Sequence, residues 1–306
     1  MKILARVLLG LGTFLIIAGI LALVWAPGVV KKTPLDVDTT TIYEGEAAKI
    51  DVSTGAFDKK PVYAVRETKS DSKKSSDEHV LMVENACAVF DTGGAQVCVN
   101  GNDPDLITAS TDIFATDRVT ALAVQDKNLP PDAIPAEGLV NKFPFDAEKK
   151  SYPFWDGDLG RAVDIQYEGT EDIFGLETYR YSYTVTDEPI DVAEGTPGTY
   201  SNVVTVNVDP VTGSIVRSGQ DQQRYLEDGT PVLDIQLIGT DDTVKDAVDE
   251  AKANGRSLFI LLTVLPIVGF VGGALCLIAG FLLLRRRPDD GTPAPARDND
   301  KVGAGA

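Results

Sequence analysis

The chain has 306 residues, of which 28 are basic and 46 are acidic, and its formal net charge is −18. Because a protein that binds nucleic acid needs lysine- and arginine-rich surfaces, this balance argues against nucleic acid as a partner. Most of the negative charge lies in residues 27–256, a stretch long enough for one large domain or two small ones.

The N-terminal part of the chain contains an unbroken apolar run, residues 7–25. This run is longer than the ~7–15 apolar residues of a secretory signal peptide. A cleavage site after Val-Trp-Ala is conceivable, but Pro27 follows it directly and disfavours cleavage. We therefore predict a cytoplasmic tip at residues 1–6 and an uncleaved transmembrane helix at residues 7–26.

The pattern changes to that of β-structure in the long middle segment, residues 27–256. Short stretches rich in Val, Ile, Thr and Tyr alternate with Gly, Pro, Asn and Asp, which is typical of strands and turns. The predicted fold class is mostly β, with a large, twisted, antiparallel extracytoplasmic domain between an N-terminal and a C-terminal transmembrane helix. The candidate strands are residues 61–68, 80–90, 95–99, 106–114, 119–125, 162–167, 179–186, 202–208, 214–217 and 232–238.

Two of the three cysteines, Cys87 and Cys98, flank a turn signal at residues 91–94. A two-residue hairpin turn at its centre would place them directly across from each other, at a distance that a disulfide bridges. We predict this disulfide, which implies an oxidising compartment; two unrelated buried thiols are the alternative. Cys276 lies in an apolar run, where a cysteine serves as a small hydrophobic residue.

Residues capable of catalysis or metal binding are scarce. His79 is the one histidine, it follows a charged loop, and no Gly-x-Ser-x-Gly motif is present, so we interpret it as a solvated loop residue. One histidine and a bridged cysteine pair leave too few ligands for zinc. We therefore predict no catalytic residue, no metal site, no cofactor and no enzymatic activity.

Two acidic stretches leave a possibility open. Residues 100–105 are rich in oxygen ligands for calcium but lack the closing glutamate of an EF-hand, and residues 156–158 read Asp-Gly-Asp. We interpret both as turns. A pair of carboxylates for sugar hydrolysis stays possible, because such a pair is defined by distance in space.

The C-terminal part begins with a helix-capping residue, Thr240, followed by a short amphipathic helix predicted at residues 241–254. A second apolar run predicts a transmembrane helix at residues 257–284. The Pro-, Gly- and Asp-rich residues 285–306 are predicted to form a disordered cytoplasmic tail.

Basic residues flank both predicted transmembrane helices on both sides, so the positive-inside bias is slight. The predicted disulfide decides the orientation: a two-pass protein of the plasma membrane with both termini in the cytoplasm. Small residues at Ala18 and Ala22, and at Gly269 and Gly273, would let the two helices pack closely. The alternative is that glycine is simply common in membrane helices.

Longer strings in the middle of the chain are more specific. Residues 142–153 read Lys-Phe-Pro-Phe-Asp-Ala-Glu-Lys-Lys-Ser-Tyr-Pro. Together with Tyr-Ser-Asn at 200–202, Asp-Pro-Val-Thr-Gly at 209–213 and the arginines at 285–287, this string resembles an actinobacterial membrane-protein family of undetermined function, commonly labelled "PorA family porin". The resemblance covers nearly the whole chain and implies a protein of the actinobacterial cell envelope.

A more distant resemblance rests on two short stretches of the sequence, each of which is compared with a known strand motif. Residues 173–181 are similar to a Gly-x-x-x-Tyr-Arg-Phe strand, and residues 206–213 to a strand that ends in Glu-Pro-x-Thr-Gly. Both belong to class B scavenger receptors, the fatty-acid translocase family, which also have a terminal transmembrane helix at each end. This resemblance implies a tunnel through the β domain that carries lipid toward the membrane.

Three functions follow in order of expectation. The first is that the β domain binds or conducts a hydrophobic or lipid molecule of the envelope, with membrane lipids as partners. The second is a non-catalytic structural or partner-binding role, in which the acidic domain contacts another envelope protein or a second copy of the chain. An oligomeric, porin-like channel comes third, because the predicted membrane helices show no polar stripe.

Overall fold

The computed structural model of the protein divides the chain into two compact units. One unit comprises the two chain ends, and the other comprises residues 27–259. The predicted fold class is confirmed: a mostly β unit lies in the sequence between two apolar terminal helices. The residues that the structure describes are 2–94, 96–99, 101, 103–193 and 195–285.

The helices of the described chain are α1 (Lys2–Val24), α2 (Pro27–Val30), α3 (Asp241–Phe259) and α4 (Leu265–Arg285). A π-helical turn, Ile260–Val264, directly precedes Pro266 of α4. Because proline cannot donate the backbone hydrogen bond of a helix, a local widening before it is expected. By length and composition, α1 and the helical segment that ends in α4 could each cross a membrane.

The helices α1 and α4 pack against each other along a seam of small residues. A Cβ atom added to Gly273 would lie 2.7 Å from the Ile16 side chain and 2.9 Å from the Gly12 carbonyl oxygen, so glycine is required for this approach. Three of the four predicted contact residues, Ala22, Gly269 and Gly273, lie in the seam, whereas Ala18 is only partly buried. The buried seam residues are Ala5, Gly12, Gly19, Ala22, Pro266, Gly269, Gly273 and Gly280.

The β unit is built on one antiparallel sheet of ten strands. Their order across the sheet is β4-β3-β2-β1-β10-β9-β8-β7-β6-β5, so β1 and β10 meet in the middle. The strands are β1 (Asp38–Lys49), β2 (Lys60–Ser70), β3 (His79–Phe90), β4 (Leu106–Asp117), β5 (Tyr152–Asp156), β6 (Arg161–Ile173), β7 (Leu176–Ala193), β8 (Thr196–Val208), β9 (Ile215–Leu226) and β10 (Pro231–Gly239).

The sheet curls until its two edge strands, β4 and β5, are linked through short bridges. Thr116 of β4 bridges Ala123, Leu122 bridges Leu139, and Leu139 bridges Phe154 of β5. Backbone hydrogen bonds support the linkage, among them Leu139 N–H to Pro153 oxygen at 2.8 Å. Where these bridges lie, the sheet is closed into a ring, which gives it an inner and an outer face.

Apolar side chains on the inner face form two clusters. The larger cluster contains an aromatic group in which the rings of Phe143 and Tyr181 lie 4.6 Å apart. The smaller one is formed by β1, β2, β3 and β10, with Ile235 and Ala64 among its members. Helix α3, five residues longer than predicted, buries Val244 and Val248 against the start of β9 and the β6–β7 turn.

Several strand predictions were wrong. Residues 96–99 are a loop (Ala95 lies outside the described residues), and residues 119–125 form a turn with isolated bridges. Two strands, β1 and β5, were missed. Strand β1 carries several acids and Gly45, which depress strand propensity, but Gly45 is needed because an added Cβ would lie 1.8 Å from the Gln236 oxygen.

The structure joins Cys87 and Cys98 in a disulfide with a Cα–Cα distance of 5.8 Å. The expected hairpin geometry was wrong, because Cys87 pairs in the ladder with Val65 and Ala109. Cys98 lies in the long loop before β4, and the Tyr63 hydroxyl donates to the Val97 oxygen of that loop at 2.9 Å. The disulfide therefore attaches a loop to β3.

Candidate functional site

A group of charged side chains lies on the inner face of the curled sheet. Residues two apart in a strand share a face, and residues directly opposite each other in the ladder also share it. In one arm of the sheet, Glu84 of β3 lies opposite Asp112 of β4 and Thr68 of β2. In the other arm, Gln222 of β9 lies opposite the core residue Ile235.

In the first arm, Arg66 and Glu84 form an ion pair with 3.3 Å between Nε and Oε1. The Thr68 hydroxyl donates to the second oxygen of Glu84 at 3.0 Å. The guanidinium of Arg66 also lies 5.6 Å from the centre of the Tyr43 ring. Burial, together with the charge of Glu84, raises the pKa of Asp112, while Arg66 opposes the increase.

In the second arm, the turn between β5 and β6 brings two aspartates to strands β7–β9. Arg224 Nη2 donates to Asp158 Oδ1 at 2.6 Å, and Gln222 Nε2 donates to the other oxygen at 3.1 Å. The hydroxyls of Tyr183 and Tyr200 both donate to Asp156 Oδ2, at 2.9 and 3.0 Å. Burial and the charge of Asp156 raise the pKa of both tyrosines, which therefore stay protonated donors.

Closure of the sheet brings the two arms near each other. Asp112 is on edge strand β4 and Asp158 is next to edge strand β5, yet the charge of Asp158 helps to raise the pKa of Asp112. Burial and the charge of Asp156 raise the pKa of Asp158, whereas Arg224 lowers it. We call this group, three carboxylates and two guanidiniums with one amide, the lumen cluster: Arg66, Glu84, Asp112, Asp158, Gln222 and Arg224.

Water has access to the lumen cluster. The side chains of Arg66 and Asp158 are 43% and 34% exposed, and that of Arg224 is 21% exposed. The Nε atoms of both arginines and Oδ1 of nearby Asn202 have no hydrogen-bond partner among the described protein groups. The ion pair of Arg66 therefore lacks hydrogen-bond geometry at Nε. These three atoms are themselves buried, so it is the exposed parts of Arg66, Asp158 and Arg224 that water reaches.

The other predicted site residues lie elsewhere. His79 is the first residue of β3, and its Nδ1 lies 2.7 Å from Asp126 Oδ2, so the prediction of a solvated loop residue was wrong. In the stretch 100–105, Asp103 accepts the Asp105 N–H at 2.9 Å as in a turn, while Asn100 and Asn102 lie outside the described residues. Within the described part of the chain, no three His, Cys, Asp or Glu side chains form a metal-binding group.

Asp158 lies in a turn, as predicted, whereas Asp156 is the last residue of β5, and nothing in the sequence joined either residue to a site. The residues that meet them, Gln222 and Arg224, come from a strand predicted to end at residue 217. A usable signal was present: Gln220, Gln222 and Arg224 occupy alternating positions and so share one face, which is unusual for a face that also holds core residues.

Comparisons with known proteins place this geometry in context. A family model described as "Porin PorA" matches residues 4–282, which include both terminal helices and the β unit. A curated protein named "Porin PorA" from Corynebacterium amycolatum is 32% identical over 127 residues, which are 36% of this chain and 33% of that protein. The chain thus spans about a third of that relative's length. The similarity to class B scavenger receptors stays a prediction.

Proposed function

The chain belongs to the Porin PorA family, and from this premise we propose that it is a membrane-anchored, non-enzymatic channel protein of the cell envelope. In this proposal the lumen cluster forms the selective part of a path for small hydrophilic solutes, with a preference for cations. The observation that carries the proposal is a group of charged, water-accessible side chains on the inner face of a closed sheet. Such an interior is what a hydrophilic path needs.

The terminal helices are better suited to anchoring than to lining a pore. The exposed faces of α1 and α4 are apolar, and their common face is filled by the glycine seam. A water-filled path between membrane helices needs polar groups along it. We therefore assign the helices to a two-pass anchor with both termini in the cytoplasm and the β unit outside. A continuous pore across the bilayer then requires that several copies of the chain assemble as an oligomer.

The preference for cations follows from the charge of the lumen cluster. When all its groups are ionised, three carboxylates face two guanidiniums, and Asp156 adds a further carboxylate next to Asp158. Excess negative charge in a confined lumen attracts cations and repels anions. Because the pKa values of Asp112 and Asp158 are raised, these groups take up protons at a higher pH than ordinary aspartates, and acidification weakens the preference.

Carriage of a lipid is the second candidate. This ranking differs from the one expected from the sequence, in which lipid binding came first and a channel third. The aromatic inner cluster around Tyr181 favours it, because it provides an apolar wall. Against it stand the ion pairs of Arg66 and Arg224, which a passing acyl chain would desolvate at a cost of several kcal/mol per ion. If the purified protein carried more of one lipid class than an unrelated two-pass protein does, lipid carriage would again be the first candidate.

The test is conductance of the purified full chain in planar lipid bilayers. We expect salt-dependent current steps and a reversal potential that favours potassium over chloride at pH 8. Asp112→Asn removes one lumen charge but leaves Glu84 and Asp158, the ion-pair partners of the two arginines, so it should shift the reversal potential toward zero. Glu44→Gln, an exposed carboxylate on the outer face of β1, is the matched control and should leave the potential unchanged.

Three results would decide against parts of the proposal. Absence of current would refute channel function for the isolated chain, and a current with equal effects of both substitutions would place the path outside the lumen cluster.

Maleimide labelling of Cys87 and Cys98 in intact cells tests the orientation. With an impermeant reagent, we expect the two cysteines to react only after the disulfide is reduced. Labelling that needs permeabilised cells would invert the topology.

A further inference from the structure

A second polar recess lies on the outer face of the sheet, formed by strands β7, β8 and β9. It is an open cleft of about 470 Å³, a volume within the ~300–1,000 Å³ typical of small-molecule sites. Its wall presents hydroxyl, amide and carboxylate groups beside one aromatic ring. The residues that matter to the argument are Thr184, Asp187, Ser201, Asp221, Gln223 and Tyr225.

The edge of the cleft is a β-bulge in strand β7. The register with β8 shifts between Val185 and Glu188, and Asp187 has a backbone φ of 51°, in the left-handed region. The Asp187 N–H donates to the Ser201 hydroxyl at 2.9 Å, which holds the bulge in place. A left-handed residue other than glycine costs about 1–2 kcal/mol, and bulges recur where a side chain is aimed at a binding site.

The floor of the cleft contains a carboxylate that is only half satisfied. Asp221 Oδ2 accepts a hydrogen bond from Gln236 at 3.0 Å, but the buried Oδ1 has no partner among the described groups. A carboxylate can accept several hydrogen bonds, so Asp221, which lines the cleft, has acceptor capacity left for a ligand that donates them.

We infer that this cleft binds a segment of a neutral saccharide chain, a site separate from the lumen cluster and independent of conduction. Sugar hydroxyls donate to the carboxylates of Asp221 and Asp187, and exchange hydrogen bonds with Ser201 and Gln223. The ring of Tyr225 offers an apolar surface to the C–H face of a pyranose. The lining residues include two aspartates and neither lysine nor arginine, which disfavours phosphate, sulfate or acidic sugars.

The test uses the purified full chain in an amine-oxide detergent, because maltoside detergents would themselves present sugar. Neutral trisaccharides of glucose, galactose, mannose and arabinose are titrated by calorimetry, and hydrogen exchange locates the site. We expect at least one of them to bind at millimolar concentration or below and to protect residues 184–187, 199–203 and 221–225 from exchange.

Variants assign the binding to the cleft. Tyr225→Ala should weaken binding about tenfold and Tyr225→Phe should preserve it, because the ring face is retained. Asp221→Asn should also weaken binding and provides a second test if the alanine variant fails to fold. Glu227→Gln, an exposed carboxylate in the next turn, is the matched control. No binding by any trisaccharide, binding unaffected by these substitutions, or a response to calcium chloride alone would overturn the inference.

Discussion

The loop between β4 and β5 contains a partly buried lysine whose charge should control the stability of the β unit. Lys142 Nζ donates to the Phe143 oxygen at 2.9 Å and to the Thr212 oxygen at 2.6 Å. A neutral amine has two N–H donors for these two acceptors. Burial lowers the pKa of Lys142 from 10.5 to about 7, although Asp209 opposes the decrease.

The sign of the pH dependence follows from the number of bound protons. Between the native pKa of about 7 and the ordinary value of 10.5, the unfolded chain holds a proton that the native protein releases. Stability is therefore lowest below pH 7 and increases with pH until it levels off above 10.5. Between pH 7 and pH 9 this one group adds about 2 kcal/mol to the free energy of unfolding.

Thermal unfolding in mild detergent, followed by the circular dichroism of the strands, measures the effect. For a unit of this size about 2 kcal/mol corresponds to a Tm increase of about 4–8 °C between pH 7 and pH 9. Lys142→Met should abolish that increase, whereas Lys149→Met, an exposed lysine of the same loop, should keep it. A pH dependence that is identical in wild type and Lys142→Met would refute the assignment of the buried neutral amine.

Three further stability predictions use the same assay. Gly273→Val should cost about 1–3 kcal/mol because it forces α1 and α4 apart, while Gly272→Val, whose added Cβ meets one side-chain atom at 3.6 Å, should cost less. Gly213→Ala should destabilise more than Gly229→Ala: both have positive φ, but only at Gly213 would the Cβ lie 2.1 Å from a carbonyl oxygen. Equal losses within either pair would contradict the packing argument. Reduction of the disulfide, which closes a sequence separation of 11, should cost about 3 kcal/mol.

The sequence was sufficient for the fold class and for most strands because their patterning is local. Residues 179–183 alternate aromatic and polar side chains, and in the structure Tyr181 and Tyr183 are buried on the inner face. Strand β1 was missed because its stability comes from its neighbours: it is paired on both sides, with β2 and β10, and more than half of its residues are polar or charged. Tertiary pairing here outweighs a weak intrinsic propensity.

The lumen cluster could not be predicted because it depends on how far the sheet curls. Asp112 and Asp158 lie at opposite ends of the strand order, and nothing in their local sequence indicates that the edges meet. What joins them is a set of single bridges through Leu122, in a predicted strand that is a turn in the structure, and through Leu139, in a segment with no predicted strand. Which residues of the two edge strands come together is decided by how the sheet closes, and not by the strand propensity of the local sequence.

Closure of the sheet is the reason why we propose a polar solute, whereas the resemblance to scavenger receptors favoured a lipid. Apolar residues such as Tyr181 and Ile235 share the inner face with Arg66 and Arg224, so the face is neither a dry core nor a uniform channel wall. An acyl chain would have to strip water from both ion pairs, while a hydrated cation would meet groups that already exchange with water. The shift in reversal potential expected from Asp112→Asn therefore tests the one feature that separates the two functions.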